Sequence, residues 1–213
     1  MDLTALEHEL GCELSSQPQH EERPVVAVIS GPSGVGKDAA IRALQAQRPD
    51  IHFVVTATSR AMRPGEVDGV DYIFVSKEKF EQWIANDEML EHALVYGQYK
   101  GIPRAQVQGV LERGQDVVLR LDVQGAATLR RLVPDCISIF IAAESERALA
   151  ERLVARSTEL PDQLKTRVET ARAEASQVKD FDYVVVNRSG KLEETVQRLA
   201  AIIDAEKSRV VNK

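Results

Sequence analysis

The sequence has few of the features that mark secreted, membrane-embedded or nucleic-acid-binding proteins. It contains two cysteines, Cys12 and Cys136, in 213 residues, too few for a disulfide framework. No apolar run approaches the roughly 18 residues that cross a bilayer. The net charge of -6 argues against a broad basic surface for phosphate backbones. We therefore expect a soluble, cytoplasmic protein with reduced thiols, and neither nucleic acid nor membrane as a partner.

The first 23 residues also lack the apolar segment of a secretory signal. They are polar, and Arg23 is their single Lys or Arg, so an Arg-rich transit peptide does not fit either. We expect residues 1–23 to form a flexible tail, in which a short helix over Leu3–Leu10 is compatible with the sequence. Residues 208–213 are expected to form a C-terminal tail.

Hydrophobic residues make up 44% of the chain, enough for one substantial core. Within residues 24–207, strand-like apolar runs alternate with amphipathic helical stretches. This alternation is typical of βαβ units around a parallel sheet. The predicted core segments are Val25–Ser30, Asp38–Gln47, Asp116–Asp122, Gln124–Leu132, Cys136–Ala142, Ser145–Arg156, Tyr183–Asn187 and Leu192–Glu206.

Residues 53–114 depart from that alternation. Strand-like segments at Phe53–Thr58, Asp71–Val75 and Leu90–Tyr96 are separated by turn-rich sequence with one short helix, near Ser76–Asn86. We expect a small mixed β insertion here.

A charged, helix-permissive stretch follows the core helix that ends near residue 156. It has Pro161 early, where a first helical turn tolerates proline. We expect residues 146–179 to form a helical lid, and residues 24–52, 115–145 and 180–207 to form the core.

The strongest chemical signal follows the first predicted strand. Gly31-Pro32-Ser33-Gly34-Val35-Gly36-Lys37 lies between a Val/Ile strand and an Ala/Leu-rich helix, as phosphate-binding loops do. Glycines let successive backbone N–H groups point at phosphate oxygens, and the helix adds its positive N-terminal end. We assign residues 31–37 to ATP binding and Lys37 also to catalysis, because its charge would neutralise the transferring phosphoryl group. A glycine-rich turn with an exposed lysine is the alternative.

Two carboxylates are candidate magnesium ligands. Asp38 stands where such loops have Ser or Thr, whose hydroxyl binds Mg²⁺; a carboxylate is also a hard oxygen ligand. Alternatively, Asp38 is an N-terminal charge or cap of the helix and faces away from the metal. Asp122 ends a predicted core strand, where open α/β sheets bind ligands. Its alternative role is to cap the helix that starts near Gln124.

A series of motifs between the loop and Asp122 resembles guanylate kinases. Residues 58–72, TSRAMRPGEVDGVDY, fit T-x-R-x-x-R-P-G-E-x-x-G-x-D-Y, and Leu90-Glu91-His92-Ala93 fits L-E-x-A. The match runs from about Val25 to Glu206 in the family's order. It implies a P-loop-type parallel sheet flanked by helices, with a mixed β insertion for the acceptor and a helical lid. It also implies transfer of the γ-phosphoryl group of ATP to GMP or dGMP, with Mg²⁺ as cofactor.

The resemblance also assigns the acceptor site. Arg60, Arg63 and Tyr72 would bind the GMP phosphate, through guanidinium forks and a phenol hydroxyl. Glu91 would accept the adjacent N–H donors of guanine, whereas adenine would leave it unpaired. Thr56 matches a second base-contacting position. Without the motif, the arginines would be solvated surface charges and Glu91 an exposed strand residue.

Further site residues are implied in the lid and after the last strand. Arg156 and Arg167 match arginines that close over the transferring phosphoryl group, where they stabilise charge and exclude water. Arg152, one helical turn before Arg156, would assist them. Asn187 matches an adenine-contacting position, although Asn after a strand is also an ordinary turn residue.

Besides Asp38, three site positions depart from the family pattern. Lys100 replaces a phosphate-binding Tyr and would still hold the GMP phosphate by its charge. Ile102 replaces a base-binding hydroxyl and cannot hydrogen-bond to guanine. Arg120 stands where the family usually has Asp or Glu, so we hypothesise that Asp38 and Arg120 are a charge exchange that conserves the formal charge of the site. A non-catalytic binding module and a kinase for another base remain alternative hypotheses.

Overall fold

The structure is a computed structural model that describes residues 2–13, 23–95, 97–156 and 161–210. Its elements in chain order are α1 (Leu3–Leu10), β1 (Val26–Ser30), α2 (Lys37–Gln47), β2 (His52–Phe53), β3 (Ala57–Thr58), β4 (Ile73–Phe74), α3 (Lys77–Ala85), β5 (Met89–Val95), β6 (Gln98–Pro103), α4 (Arg104–Leu111), β7 (Val117–Arg120), α5 (Val123–Leu132), β8 (Ile137–Ala143), α6 (Glu146–Arg156), α7 (Pro161–Ala175), a 3-10 helix (Ser176–Asp180), β9 (Tyr183–Asn187) and α8 (Leu192–Lys207).

The core is a five-stranded sheet in the order β2-β7-β1-β8-β9. All of its pairings are parallel, which confirms the predicted βαβ architecture. Every residue of β1 is buried, as expected for a parallel strand covered on both faces. Ala27 and Ile29 pack with Leu44 and Leu199 on one side of the sheet. Val28 packs with Leu129 on the other side.

The parallel arrangement fixes where a ligand can bind. The carboxyl ends of parallel strands meet at one edge of the sheet, and open α/β sheets bind ligands there. Gly31 follows β1, Asp122 follows β7 by two residues, and Asn187 ends β9. Three predicted site segments therefore lie at the same edge.

The insertion is a second, four-stranded sheet in the order β4-β3-β6-β5. Strand β3 pairs parallel with β4, and β6 pairs antiparallel with β3 and β5. The prediction of a mixed sheet is confirmed. The prediction of one continuous strand over Phe53–Thr58 is wrong, because β2 pairs with β7 in the core sheet while β3 belongs to the insertion.

The expectation of a single helix in the insertion is also wrong. Helix α4 begins directly after β6 and buries Val107 and Val110, which lie three residues apart and therefore share a helix face. Strand β6 contains Gly101 and ends at Pro103, both poor strand signals. Long-range pairing with two neighbouring strands holds β6 instead.

The segment after the core strand β8 is helical, as predicted for the lid. Helix α7 begins at Pro161, the first-turn position that the sequence suggested. Helix α1 has the bounds considered from the sequence. Among the described residues, no helix is both long and apolar enough to span a bilayer. The division into tails, core, insertion and lid stays a prediction.

Candidate active site

The phosphate loop is shaped by glycines with a left-handed backbone. Gly31, Gly34 and Gly36 have φ angles of 140°, 84° and 98°, a region that side chains disfavour. A Cβ at Gly31 would overlap the backbone carbonyl of Ile141. Gly36 is the N-terminal cap residue of α2, so the loop passes into the positive end of that helix.

Lys37 is turned back onto its own loop. Its ammonium group donates to the carbonyl oxygens of Gly31 and of Pro32, the latter at 3.0 Å. Burial lowers the pKa of Lys37, while the carboxylates of Glu174 and Asp38 act in the opposite direction. A lysine that is removed from water interacts strongly with any nearby charge, because the local dielectric constant is low.

Two side chains of α7 contact Ser33 of the loop. Glu174 Oε2 accepts the backbone N–H of Ser33 at 3.0 Å, and Arg167 Nη2 lies 3.5 Å from the Ser33 hydroxyl. Arg167 and Glu174 are seven residues apart, two turns on one face of the helix. The structure thus brings the predicted Arg167 to the loop. Glu174 was missed, and its helical spacing from Arg167 is the signal that could have found it.

Asn187 and Arg152 meet the loop at Val35. Asn187 Nδ2 donates to the Val35 carbonyl at 2.8 Å, and its Oδ1 accepts from Thr195 at 3.0 Å. Arg152 donates to the same Val35 carbonyl at 3.2 Å and to the Asn187 carbonyl at 2.9 Å. Arg152 therefore contacts backbone carbonyls at this side of the loop. A cavity of about 260 Å³ opens here, lined by Gly34, Val35, Gly36, Ala39, Arg152, Asn187, Arg188, Ser189, Gly190 and Leu192.

The predicted lid arginine Arg156 is described only by its backbone. Arg156 ends α6, and its side chain lies outside the described residues. Its predicted role stays a prediction, as does that of Arg167.

Glu91 is buried beside a second carboxylate. Its residue is 5% exposed, so the alternative of an exposed strand residue is wrong. Burial and, to a lesser extent, the neighbouring Asp122 raise the pKa of Glu91 to about 7. The absence of a side chain at Gly125 leaves room, since a Cβ there would lie 3.1 Å from Glu91 Oε1. A partner that donates two N–H groups would stabilise the ionised form.

Asp122 caps helix α5. Its Oδ1 accepts the backbone N–H of Gly125 at 2.8 Å, which is the alternative role that the sequence left open. The described residues contain no group of three or more His, Cys, Asp or Glu side chains that could hold a metal ion. The assignment of Asp122 to a metal stays a prediction.

Arg60 is buried against its own counter-ion. The guanidinium donates to both Glu66 oxygens, at 2.7 and 2.5 Å, and this pairing lowers the pKa of Glu66 to about 2. It also lies 4.7 Å from the centre of the Tyr72 ring. Arg60 is 9% exposed, so it is no solvated surface charge. Arg63 is exposed, and its backbone N–H also donates to Glu66, at 2.8 Å.

The remaining acceptor-side residues lie on β6 of the insertion sheet or directly before β3. Thr56 is buried, with Oγ1 3.5 Å from the carbonyl of Arg120. Lys100 lies opposite Thr58 in the β3–β6 pair. Ile102 is fully buried in the cluster that includes Leu119, so its alkyl side chain packs the core.

Asp38 and Arg120, the two residues of the hypothesised charge exchange, are in direct contact. Arg120 Nη1 donates to Asp38 Oδ1 at 2.9 Å. The cap residue of α2 is Gly36, without a side-chain cap bond, so the capping alternative for Asp38 is wrong. Asp38 lies in the first helical turn, where a negative charge is favourable, and its side chain is 63% exposed.

Comparison with known proteins identifies the family. A family model for guanylate kinase matches residues 21–206. The chain belongs to the guanylate kinase family. Guanylate kinase 2, chloroplastic/mitochondrial, of Oryza sativa subsp. japonica is 56% identical over 207 residues, covering 96% of this chain and 73% of that protein. A guanylate kinase of Clostridium perfringens is 44% identical over 190 residues, covering 89% and 87%.

A solved guanylate kinase has the same fold. The crystal structure of guanylate kinase from Anaplasma phagocytophilum matches this chain with a TM-score of 0.73 and 32% identity, covering 89% of each chain. The resemblance inferred from the motifs is therefore confirmed. The cytoplasmic location stays a prediction, since the rice relative is named for the chloroplast and mitochondrion.

Proposed function

We propose that this member of the guanylate kinase family transfers the γ-phosphoryl group of ATP to GMP and dGMP, giving ADP and GDP or dGDP. The observation that carries the proposal is the buried Glu91, whose raised pKa suits a carboxylate awaiting two N–H donors. It belongs to the same insertion as the Arg60–Tyr72 pair. The phosphate loop supplies the donor site at the edge of the core sheet.

On the donor side, the backbone N–H groups of residues 33–37 would hold the β- and γ-phosphates. Lys37 would leave the Gly31 and Pro32 carbonyls and follow the phosphoryl group as charge develops. The cavity beside Val35 and Asn187 would take the adenine. Arg152 would then fix the loop backbone there, with its guanidinium on two carbonyls.

On the acceptor side, Arg60, Arg63, Tyr72 and Lys100 would bind the GMP phosphate. The pairing of Arg60 with Glu66 holds the guanidinium in one orientation before the substrate arrives. Such preorganisation lowers the entropic cost of positioning the acceptor.

Base selection would rest on Glu91, with Thr56 as second contact. A carboxylate can accept the ring N–H and the exocyclic NH₂ of guanine together. Adenine offers a lone pair at the ring position instead, which would leave the buried Glu91 unpaired. Packing of Ile102 into the core supports a base site that depends on Glu91 more than on the β6 strand.

Charge stabilisation during transfer would come from the lid. Arg167 already lies near Ser33, and Arg156 would join it when α6 and α7 close. Closure would shut water out and restrict transfer to GMP.

Mg²⁺ is the cofactor that the family implies, and the residues fit it. Asp38 and Asp122 each use Oδ1 for the contact described above, so a second carboxylate oxygen remains on each. Mg²⁺ typically keeps several waters and binds one or two carboxylates together with substrate phosphates. When bound, it would neutralise charge on the β- and γ-phosphates.

A monophosphate screen tests the function. Purified protein with ATP and Mg²⁺ is given GMP, dGMP, AMP, CMP or UMP, and the nucleoside diphosphates are separated and quantified. We expect GMP and dGMP to be phosphorylated best. Preference for another base would reject the role of Glu91, and absence of transfer to every monophosphate would favour a binding module.

A further inference from the structure

Arg120 contacts three parts of the site at once. Its Nη1 donates to Asp38 at 2.9 Å and its Nη2 to the backbone carbonyl of Asp71 at 3.2 Å. The guanidinium also lies 4.7 Å from the centre of the Tyr72 ring. Arg120 ends core strand β7, Asp38 belongs to α2, and Asp71 and Tyr72 belong to the insertion.

These contacts join the two substrate sides directly. Asp38 is the residue after Lys37, and Tyr72 is the residue after Asp71. One guanidinium therefore connects the end of the phosphate loop to the tyrosine assigned to the acceptor phosphate. The side chains of Arg120 and Asp38 are 20% and 63% exposed, so water partly screens their ion pair.

Helix α2 makes a second contact with the segment of the insertion that contains Asp71. Arg42, one turn after Asp38, pairs with Asp71 Oδ1 at 2.5 Å. Asp71 Oδ2 accepts the backbone N–H of Val67 at 3.0 Å, which ties the pair to the turn before Tyr72. The side chains of Arg42 and Asp71 are 70% and 15% exposed, so water partly screens this pair as well.

A guanidinium is suited to this position in a way that an ammonium is not. It is planar, donates in fixed directions and stacks on aromatic rings. Arg120 uses its N–H groups for Asp38 and Asp71, and its guanidinium carbon lies over the Tyr72 ring. Tyr72 in turn contacts a second guanidinium, that of Arg60, so the ring is held by two cations.

We propose that Arg120 is a positioning residue for phosphoryl transfer, which sets Tyr72 and Arg60 at a fixed distance from Lys37. The proposal rests on the proposed function, because it assigns the acceptor phosphate to Tyr72. In-line transfer needs the reacting atoms about 3–3.5 Å apart, and a misplacement of about 1 Å costs about 100-fold in rate. The guanidinium holds the Tyr72 segment beside the end of the phosphate loop.

The test replaces the guanidinium and keeps the charge. Arg120→Lys retains a cation for Asp38 but cannot also reach the Asp71 carbonyl and stack on Tyr72. We expect kcat to fall and KM for GMP to rise, each about tenfold or more, since the loss is one of orientation at the acceptor side. KM for ATP is expected to stay within about twofold of the unchanged enzyme, because the donor contacts of the loop are retained.

A matched control separates positioning from a general loss of stability. Arg104 likewise donates to an Asp side chain, Asp87, and to backbone carbonyls, none of which belongs to the site. Arg104→Lys should leave both KM values unchanged. The thermal unfolding midpoint of each variant is measured alongside the kinetics, and GMP binding without ATP is measured by calorimetry.

A double-mutant cycle tests the link to the ring. If Arg120 acts through Tyr72, Arg120→Lys adds little once Tyr72→Leu has removed the ring, so the combined rise in KM for GMP is smaller than the product of the single rises. A product of independent effects would contradict the link. Equal rises in the KM values of ATP and GMP, or none, would overturn the proposal. Absence of activity in the wild-type protein would instead reject the proposed function.

Discussion

The donor and acceptor sides of this site are built by different means. The donor side is mainly backbone: three glycines with positive φ turn the chain between β1 and α2, and Lys37 bonds to carbonyls of the same loop. The acceptor side is mainly side chain: Arg60 is paired with Glu66, and both Arg60 and Arg120 lie 4.7 Å from the centre of the Tyr72 ring.

The two sides of the site therefore depend on different features of the sequence. A backbone cradle needs few particular side chains, because every residue except proline supplies an N–H group. A side-chain cluster needs each charge to have its counter-ion, since a buried charge without one is costly. The donor side should therefore fail at single positions, whereas the acceptor side should weaken in steps as members of the cluster are removed.

The largest effect is expected from Lys37→Ala. The Lys37 ammonium is the positive charge that the loop supplies to the transferring phosphoryl group. Loss of one stabilising group of this kind typically lowers kcat by about 100- to 1000-fold. Steady-state kinetics with saturating GMP measure it. Lys77→Ala, which removes an exposed lysine paired with Glu81, is the control and should leave kcat unchanged. A Lys37→Ala enzyme with unchanged kcat would show that another protein in the preparation supplies the activity.

An intermediate effect is expected from Arg60→Lys on the acceptor side. The variant keeps a positive charge but loses the two-point pairing with Glu66 and the stacking on Tyr72. Losing a charged hydrogen bond costs about 1.5–3 kcal/mol, so KM for GMP should rise about 10- to 150-fold. Calorimetric titration with GMP provides an independent value. An unchanged affinity would show that GMP binding does not depend on the Arg60 guanidinium.

The smallest effect is expected from pH. Burial raises the pKa of Glu91 to about 7, and a protonated carboxyl cannot accept both guanine donors. As pH falls from 8 to 6, KM for GMP should therefore rise about tenfold. Glu91→Gln, measured over the same range, reports the nucleotide's own titration. Parallel pH profiles for the two enzymes would contradict the assignment of Glu91.

The sequence predicted the donor side more fully than the acceptor side. The phosphate loop is one continuous segment whose residue types are set by local backbone geometry, so the motif sufficed. Strand β6 was missed, because it is held by pairing with β3 and β5 rather than by its own propensity. Helix α4 was missed, because only two buried valines mark its face.

Contacts between distant residues were the least accessible from the sequence. The Asp38–Arg120 contact joins residues 82 positions apart, and it could be hypothesised only because both residues depart from the family pattern. Glu66 and Glu174 carry no such departure. The contact of Glu174 with Ser33 depends on how α7 packs against the core, and the pairing of Glu66 with Arg60 depends on the conformation of the turn between β3 and β4.

The contact between Glu174 and Ser33 changes what nucleotide entry involves. The N–H of Ser33 already has an acidic acceptor. A triphosphate that used this donor would substitute one anion for another, and net affinity would reflect the difference between the two. The same exchange would free the Glu174 carboxylate from the Ser33 N–H, so nucleotide arrival would replace one contact between α7 and the loop.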